Sequence, residues 1–409
     1  MKHTPSLEKL SAVLVAVAHK TRLRASVLIA VAVGMSLACM GCGSSSSTTT
    51  GCGASCPAKA EFLYSYSYGN SALVTIPVDL STGALGSPAT SGGPHSSWSV
   101  VAAPSGKFLY VSDTPMDAVD GFSVNSTSGA LTPLPGSPFS LGNPSGSATG
   151  GLAIEPGGKF LYATDTNATN VVGFSINSST GSLTPLTGSH AMTGSGPLGE
   201  VVDPQGKFLF VANSGDATLS SFAINSSNGA LTPVPGSPFS TFPGDGPQFL
   251  AVHPSGKYLY TDLPGPQGGM NFLGAYAIGA NGALTPVSGS PYALGNFPLG
   301  VAVDPAGKVV YAANDGDGTI SAFTVDSNSG ALAEISGSPF SAGVGGGGLA
   351  RCPYDLRVHP GGKVLYSGDG CGPDMLSFSI DSAGALGTPV VTNTPAFVDP
   401  LYLAFVTVK

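Results

Sequence analysis

Charge is what this sequence has least of: Asp, Glu, Lys and Arg make up 9% of its 409 residues, against roughly 25% in an ordinary globular chain. Beyond Cys42, 10 Lys and Arg stand against 22 Asp and Glu, a net of -12. So little positive charge cannot neutralise a run of phosphates, which excludes nucleic acid as a partner. After the leader the only arginines are Arg351 and Arg357. Tryptophan occurs once, at Trp98. There are six cysteines, four of them before residue 57, and none has zinc-ligand spacing with histidine. Long apolar runs are also lacking. The longest, "ASVLIAVAVGMSLA", has 14 residues, short of the ~20 that span a bilayer.

Turn formers are abundant instead, with Gly 59 and Pro 34, alongside 42% hydrophobic residues. That mixture argues for a packed chain of short strands rather than disorder. The first two dozen residues are basic (Lys2, Lys9, Lys20, Arg22, Arg24), then come the apolar run and "CMGCGSSSSTTTGCG". This order reads as an export signal. It resembles a bacterial lipoprotein leader, with lipid on Cys42 after Gly41 or on Cys39 after Ala38. The expected organisation is a signal peptide over 1–41, a Ser/Thr/Gly tether over 42–59 and one folded unit over 60–409. The protein is then exported to the periplasm or cell surface, and a lipid is its only hold on the membrane.

The folded unit is a repeat. "APSGKFLYVSD" at Ala103 recurs as "EPGGKFLYATD" at Glu155, "DPQGKFLFVAN" at Asp203, "HPSGKYLYTDL" at His253, "DPAGKVVYAAN" at Asp304 and "HPGGKVLYSGD" at His359, with lysines 48 to 55 residues apart. "AEFLYSYSYGN" at Ala60 is a degenerate seventh copy. Each copy holds four β signals. An apolar run ("LGVAV") ends in the x-Pro-x-Gly turn, a second run follows the lysine, an alternating run ("SAFTV") comes third, and "GALTPV" comes last. Pro133, Pro185, Pro233 and Pro286 in the last run deny a ladder hydrogen bond, which places it at a sheet edge. Four antiparallel strands per ~50-residue unit is the pattern of a propeller blade. The N-terminal copy lacks a first strand, and the C-terminal "LYLAFVTVK" is one left over. Joined, they complete an all-β, seven-bladed ring without exposed edges. His253 and His359 fall at the first position of type I turns, where other copies carry Asp203, Asp304, Glu155 and even Ala103. They read as turn residues, and His190 fills the slot of a proline in "GSPF".

The "DPxGKxLYxAN" and "GALTPxxGSPF" pattern resembles the seven-bladed lactonase family, typified by bacterial 6-phosphogluconolactonases, and more loosely the YVTN-repeat propellers. The resemblance implies a site at one mouth of the central channel, where the family often has His or Arg entering a first strand. Here those entries include Trp98, Gln248 and Tyr354, with Arg351 close by. His95, displaced by three residues, is the candidate general base. Asp113, Asp165, Asn213, Asn314 and Asp369 end second strands on the same side; they either ring the mouth or cap turns. "NDGDG" at Asn314 lacks the full spacing of a calcium loop, so no metal and no cofactor are expected. Cys352 and Cys371 lie on loops sharing one face, and export would let them pair; Cys52 and Cys56 form a second candidate bridge. The expected function is an envelope propeller, monomeric, that binds a small molecule, glycan or protein and lacks phosphosugar lactonase activity. The alternatives are a lactonase acting on a neutral lactone and a structural cell-surface component.

Overall fold

The computed structural model describes residues 60–408 apart from 143–147, 243–245, 266–268, 346–347 and 394–399. Both proposed lipid sites and the Cys52/Cys56 pair lie outside the described residues. Within them the chain forms seven antiparallel sheets around a common axis. Blade 2 is typical. Val100–Ala102 lies innermost, Phe108–Asp113 second, Ala118–Val124 third and Leu131–Pro133 outermost. Blades 3 to 7 repeat this order, their innermost strands being Thr149–Ile154, Pro197–Val202, Leu250–Val252, Pro298–Val303 and Pro353–Val358.

Blade 1 closes the ring as expected. The C-terminal strand Pro400–Val408 pairs antiparallel with Ala60–Ser67, and Leu63 faces Phe405. The outer edge is finer than four plain strands. In blades 2, 4, 5 and 6 the outermost strand is only three residues long, ending at a proline in blades 2, 4 and 5 and at Glu334 in blade 6, and a short fifth segment such as Phe139–Ser140 resumes pairing with the third strand. Blade 3 carries His190 in place of the second proline, and its outer strand Leu183–Met192 pairs with the third strand up to Pro185 and, after a register shift, again from His190. A histidine keeps the N–H that proline lacks and can join the resumed ladder.

Two repeated features bind neighbouring blades. In five of the seven blades the tyrosine of the "KFLY" motif is buried and donates its hydroxyl to the carbonyl of the hairpin glycine in the next blade. Tyr64 reaches Gly129 at 2.7 Å, Tyr110 reaches Gly181 at 2.7 Å, Tyr162 reaches Gly229 at 2.9 Å and Tyr311 reaches Gly384 at 2.9 Å. Tyr366 makes the same bond to Gly83, across the closure. In blade 4, where Phe210 replaces the tyrosine, Ser221 donates to Gly282 instead at 2.8 Å. Each hairpin glycine has φ between +70° and +88°, a region that strains any side chain with a Cβ.

The turns supply the second set of ties. His253 Nδ1 bonds Ser255 within its own turn, while Nε2 lies 2.8 Å from the Gly307 carbonyl of blade 6. His359 Nε2 lies 2.8 Å from Glu61 Oε2 in blade 1. Both histidines are turn residues and inter-blade clasps.

Candidate functional site

The innermost strands line a central channel, and three of them carry a glycine where the next blade passes close by. A Cβ on Gly151, Gly199 or Gly300 would collide with the carbonyl of Leu198, Gln248 or Tyr354 respectively. Glycine there lets the strands crowd inward, which leaves a channel cavity of about 90 Å³.

Its upper wall is aromatic. Phe249 of blade 5 crosses the axis to meet Tyr354 of blade 7 edge-on at 5.9 Å and Tyr402 of blade 1 nearly parallel at 6.4 Å. The two tyrosine hydroxyls are 3.3 Å apart. Burial pushes Tyr354 up to about 12 and Tyr402 further above the usual phenol range, so both stay protonated donors. Trp98 stands beside Tyr402 at 6.4 Å, 40% exposed at the mouth. Asp262 of blade 5 holds this wall in place, its Oδ1 accepting the N–H groups of Gln248 at 3.0 Å and Phe249 at 2.6 Å. Desolvation outweighs those two hydrogen bonds and raises Asp262 to about 8. Its Oδ2 is buried without a partner.

Deeper in the channel are three charged residues set in otherwise apolar strands. Glu200 lines the cavity with its stem, but both carboxyl oxygens are sealed from solvent without a hydrogen-bond partner. Burial drives its pKa well upward, opposed by the nearby Ala153 N–H. Asp355 and Arg357 pair across 2.7 Å, with Asp355 1% exposed and the Arg357 side chain 41% exposed.

The expected mouth residues divide. Trp98 and Gln248 line the cavity, and Tyr354 packs in its aromatic wall. The residues ending second strands do not ring the opening; they are buried, and Asp165, Asn314 and Asp369 tie down the loops entering the innermost strands. Asp165 Oδ1 accepts from Ala148, Asn167 and Ala168; Asn314 accepts from Gly295 and donates to Thr319 and Ser321; Asn213 donates to Thr218 and Ser220. Asp369 accepts from the N–H groups of Cys352 and Cys371. Those two cysteines form a disulfide with Cα atoms 5.2 Å apart. Asp113 is 3% exposed, and burial raises its pKa against the opposing pull of His95.

His95 stands 3.6 Å from Asp113 with its side chain 76% exposed, and it does not line the cavity. Arg351 is 7% exposed and bonded to Asp369 at 2.8 Å and Asp374 at 2.5 Å, so it cannot reach out to a ligand. The arginine that faces the channel is Arg357, which its place near the turn had concealed. A charge inside the continuous apolar first-strand pattern, in "LGEVV" and "YDLRV", was the available sign of Glu200, Asp355 and Arg357. Among the described residues no group of His, Cys, Asp and Glu side chains is arranged to hold a metal ion.

Residues 152–345 match the lactonase family of seven-bladed β-propellers. This bears out the resemblance seen in the repeats. No curated protein matches the chain in sequence. Among solved structures, the periplasmic gluconolactonase of Pseudomonas aeruginosa is 17% identical with a TM-score of 0.67, covering 86% of this chain and 100% of its own. A Bacteroides fragilis protein provisionally named a 6-phosphogluconolactonase is 19% identical with a TM-score of 0.69, covering 85% and 98%. A Lactobacillus plantarum protein is 15% identical with a TM-score of 0.68, covering 85% and 99%. At these identities the lactonase-type propellers share a fold with this chain, and the chemistry of its channel has to be argued from its own residues.

Proposed function

We propose that this lactonase-type propeller is a binding protein for a small ligand held in the central channel, and that it does not hydrolyse phosphorylated sugar lactones. One observation carries the reading. Among the described residues, Arg357 is the sole cation lining the cavity, and its charge is already matched by Asp355 at 2.7 Å. A phosphoryl group needs uncommitted cations to offset its desolvation, and the acidic body would repel it on approach.

General-base chemistry lacks support as well. Both carboxyl oxygens of Glu200 are sealed from solvent, and Asp355 is held by Arg357 and the Leu403 N–H. Hydrolysis of a neutral lactone is the second reading, favoured by the neighbourhood of His95 and Asp113 at the mouth. The basic leader and its cysteines support export with a lipid anchor, and a small molecule, glycan or envelope protein as partner. Incubating the purified protein with 6-phosphogluconolactone and with its unphosphorylated counterpart, and subtracting spontaneous hydrolysis, tests the reading. The expected result is no turnover of the phosphorylated lactone. Turnover of it that falls in Arg357→Lys would overturn the proposal, and turnover of the neutral lactone alone would promote the second reading.

A further inference from the structure

The innermost strand of blade 1 is fastened differently from the rest. In the other six blades an x-Pro-x-Gly turn carries the innermost strand directly into the second. Pro400–Val408 instead meets Ala60–Ser67 across the whole ring, with Thr407 and Glu61 346 positions apart. Its ladder shifts register between Tyr66 and Ser67, beside Tyr402.

Blade 7 grips this strand from the other side. Asp355 Oδ2 accepts the Leu403 N–H at 3.0 Å, and Arg357 Nε donates to the Leu403 carbonyl at 3.0 Å. Arg357 Nη1 donates to Asp355 Oδ1 at 2.7 Å, which joins the two contacts into one closed set. Further along, His359 Nδ1 accepts the Gly361 N–H, so Nε2 carries the proton and donates to Glu61 Oε2 at 2.8 Å. Glu61 Oε1 accepts the Thr407 hydroxyl at 3.0 Å. Residues two apart share a face of a strand, so 355, 357 and 359 meet the closing strand in order. The other repeats hold glycine, serine or phenylalanine five residues before the turn proline, and valine or alanine three before it. Full charge at both places is confined to the blade that faces the closing strand. A buried ion pair adds little net stability over apolar residues of the same size. Hydrogen bonds to both polar groups of one residue do fix where that residue sits.

The residues next in sequence are the tyrosines of the mouth. Tyr354 precedes Asp355 and Tyr402 precedes Leu403, and the two rings meet edge-on at 5.6 Å. We infer that Asp355, Arg357 and His359 form a closing clasp, which fastens the C-terminal strand to blade 7 and, through Leu403, positions Tyr402 in the aromatic wall of the mouth. Asp355 and Arg357 are then positioning residues whose charges serve the seam of the ring. The inference holds whatever the channel binds.

Trp98, the chain's single tryptophan, stands 6.4 Å from Tyr402 and reports its place by fluorescence. Asp355→Leu combined with Arg357→Met removes both grips on Leu403, leaves no unpaired buried charge and keeps the urea midpoint near that of the wild type. In the full chain the Leu403 amide should then exchange its hydrogen about tenfold faster, the worth of one hydrogen bond. Trp98 emission should shift to the red as Tyr402 moves away. His253→Ala cuts a comparable tie between blades 5 and 6 and should leave both signals unchanged. Arg357→Lys keeps the charge but cannot hold Asp355 and the Leu403 carbonyl together, so it should show the same two changes, which keeps the test open if the double variant does not fold. Unchanged exchange and emission in a folded clasp variant would overturn the inference. Faster exchange with Trp98 unmoved would overturn the positioning role, and an equal red shift in His253→Ala would show general loosening and overturn it too.

Discussion

Removing one inter-blade hydroxyl should weaken the ring by an amount that an internal control can isolate. Tyr110 is fully buried and donates to the Gly181 carbonyl at 2.7 Å, joining blades 2 and 3. Tyr110→Phe keeps the ring and its packing but leaves that buried carbonyl unsatisfied, at a cost of about 1 to 3 kcal/mol. Tyr260 occupies the same place in blade 5, equally buried, and its hydroxyl has no partner. Tyr260→Phe therefore loses no hydrogen bond and removes a desolvated hydroxyl, so it should be neutral or slightly stabilising. Both substitutions delete one oxygen from a fully buried tyrosine, so their difference reports the hydrogen bond alone. Urea unfolding followed by far-UV circular dichroism gives the comparison through the shift in midpoint at constant slope. Equal losses in the two variants would show that the hydroxyl contributes through packing and would refute the reasoning.

Stability should also depend on pH through Asp262. Its folded-state pKa, about 8, lies above its ordinary value of 3.8, so the folded protein holds a proton that the unfolded chain releases. That stabilisation is complete below about pH 4 and is lost as pH rises towards 8, on the order of a few kcal/mol. Asp315, raised to about 7 chiefly by burial, and Glu200 add slopes of the same sign. Asp262→Asn should flatten the profile between pH 4 and 8; an unchanged slope would show that the carboxyl is solvated. Replacing Cys352 and Cys371 together by serine opens a loop with a sequence separation of 19 and should cost about 3 kcal/mol on the chain-entropy estimate. An unchanged urea midpoint would mean that this loop gains nothing from closure.

The strand pattern, the ring closure and the turn role of His253 and His359 were legible in the sequence because each depends on local order repeated at a fixed period. Alternation, an x-Pro-x-Gly turn and an unpaired first strand describe a blade before it meets its neighbours. What the repeat could not reveal is which atoms meet across blades. The tyrosine of "KFLY" reads as one more apolar strand residue, yet its hydroxyl reaches a carbonyl 65 residues further on from Tyr64 and 73 further on from Tyr311. Arg351 and Arg357 are six positions apart, but only the tertiary structure separates them: Asp369 and Asp374 enclose the first, whereas the second, paired with Asp355, stays partly exposed beside the channel cavity. The physical reason is the same in each case. A blade's composition sets its strands, whereas exposure to the channel depends on how closely seven inner strands approach one axis, a distance governed by side chains and glycines from different repeats.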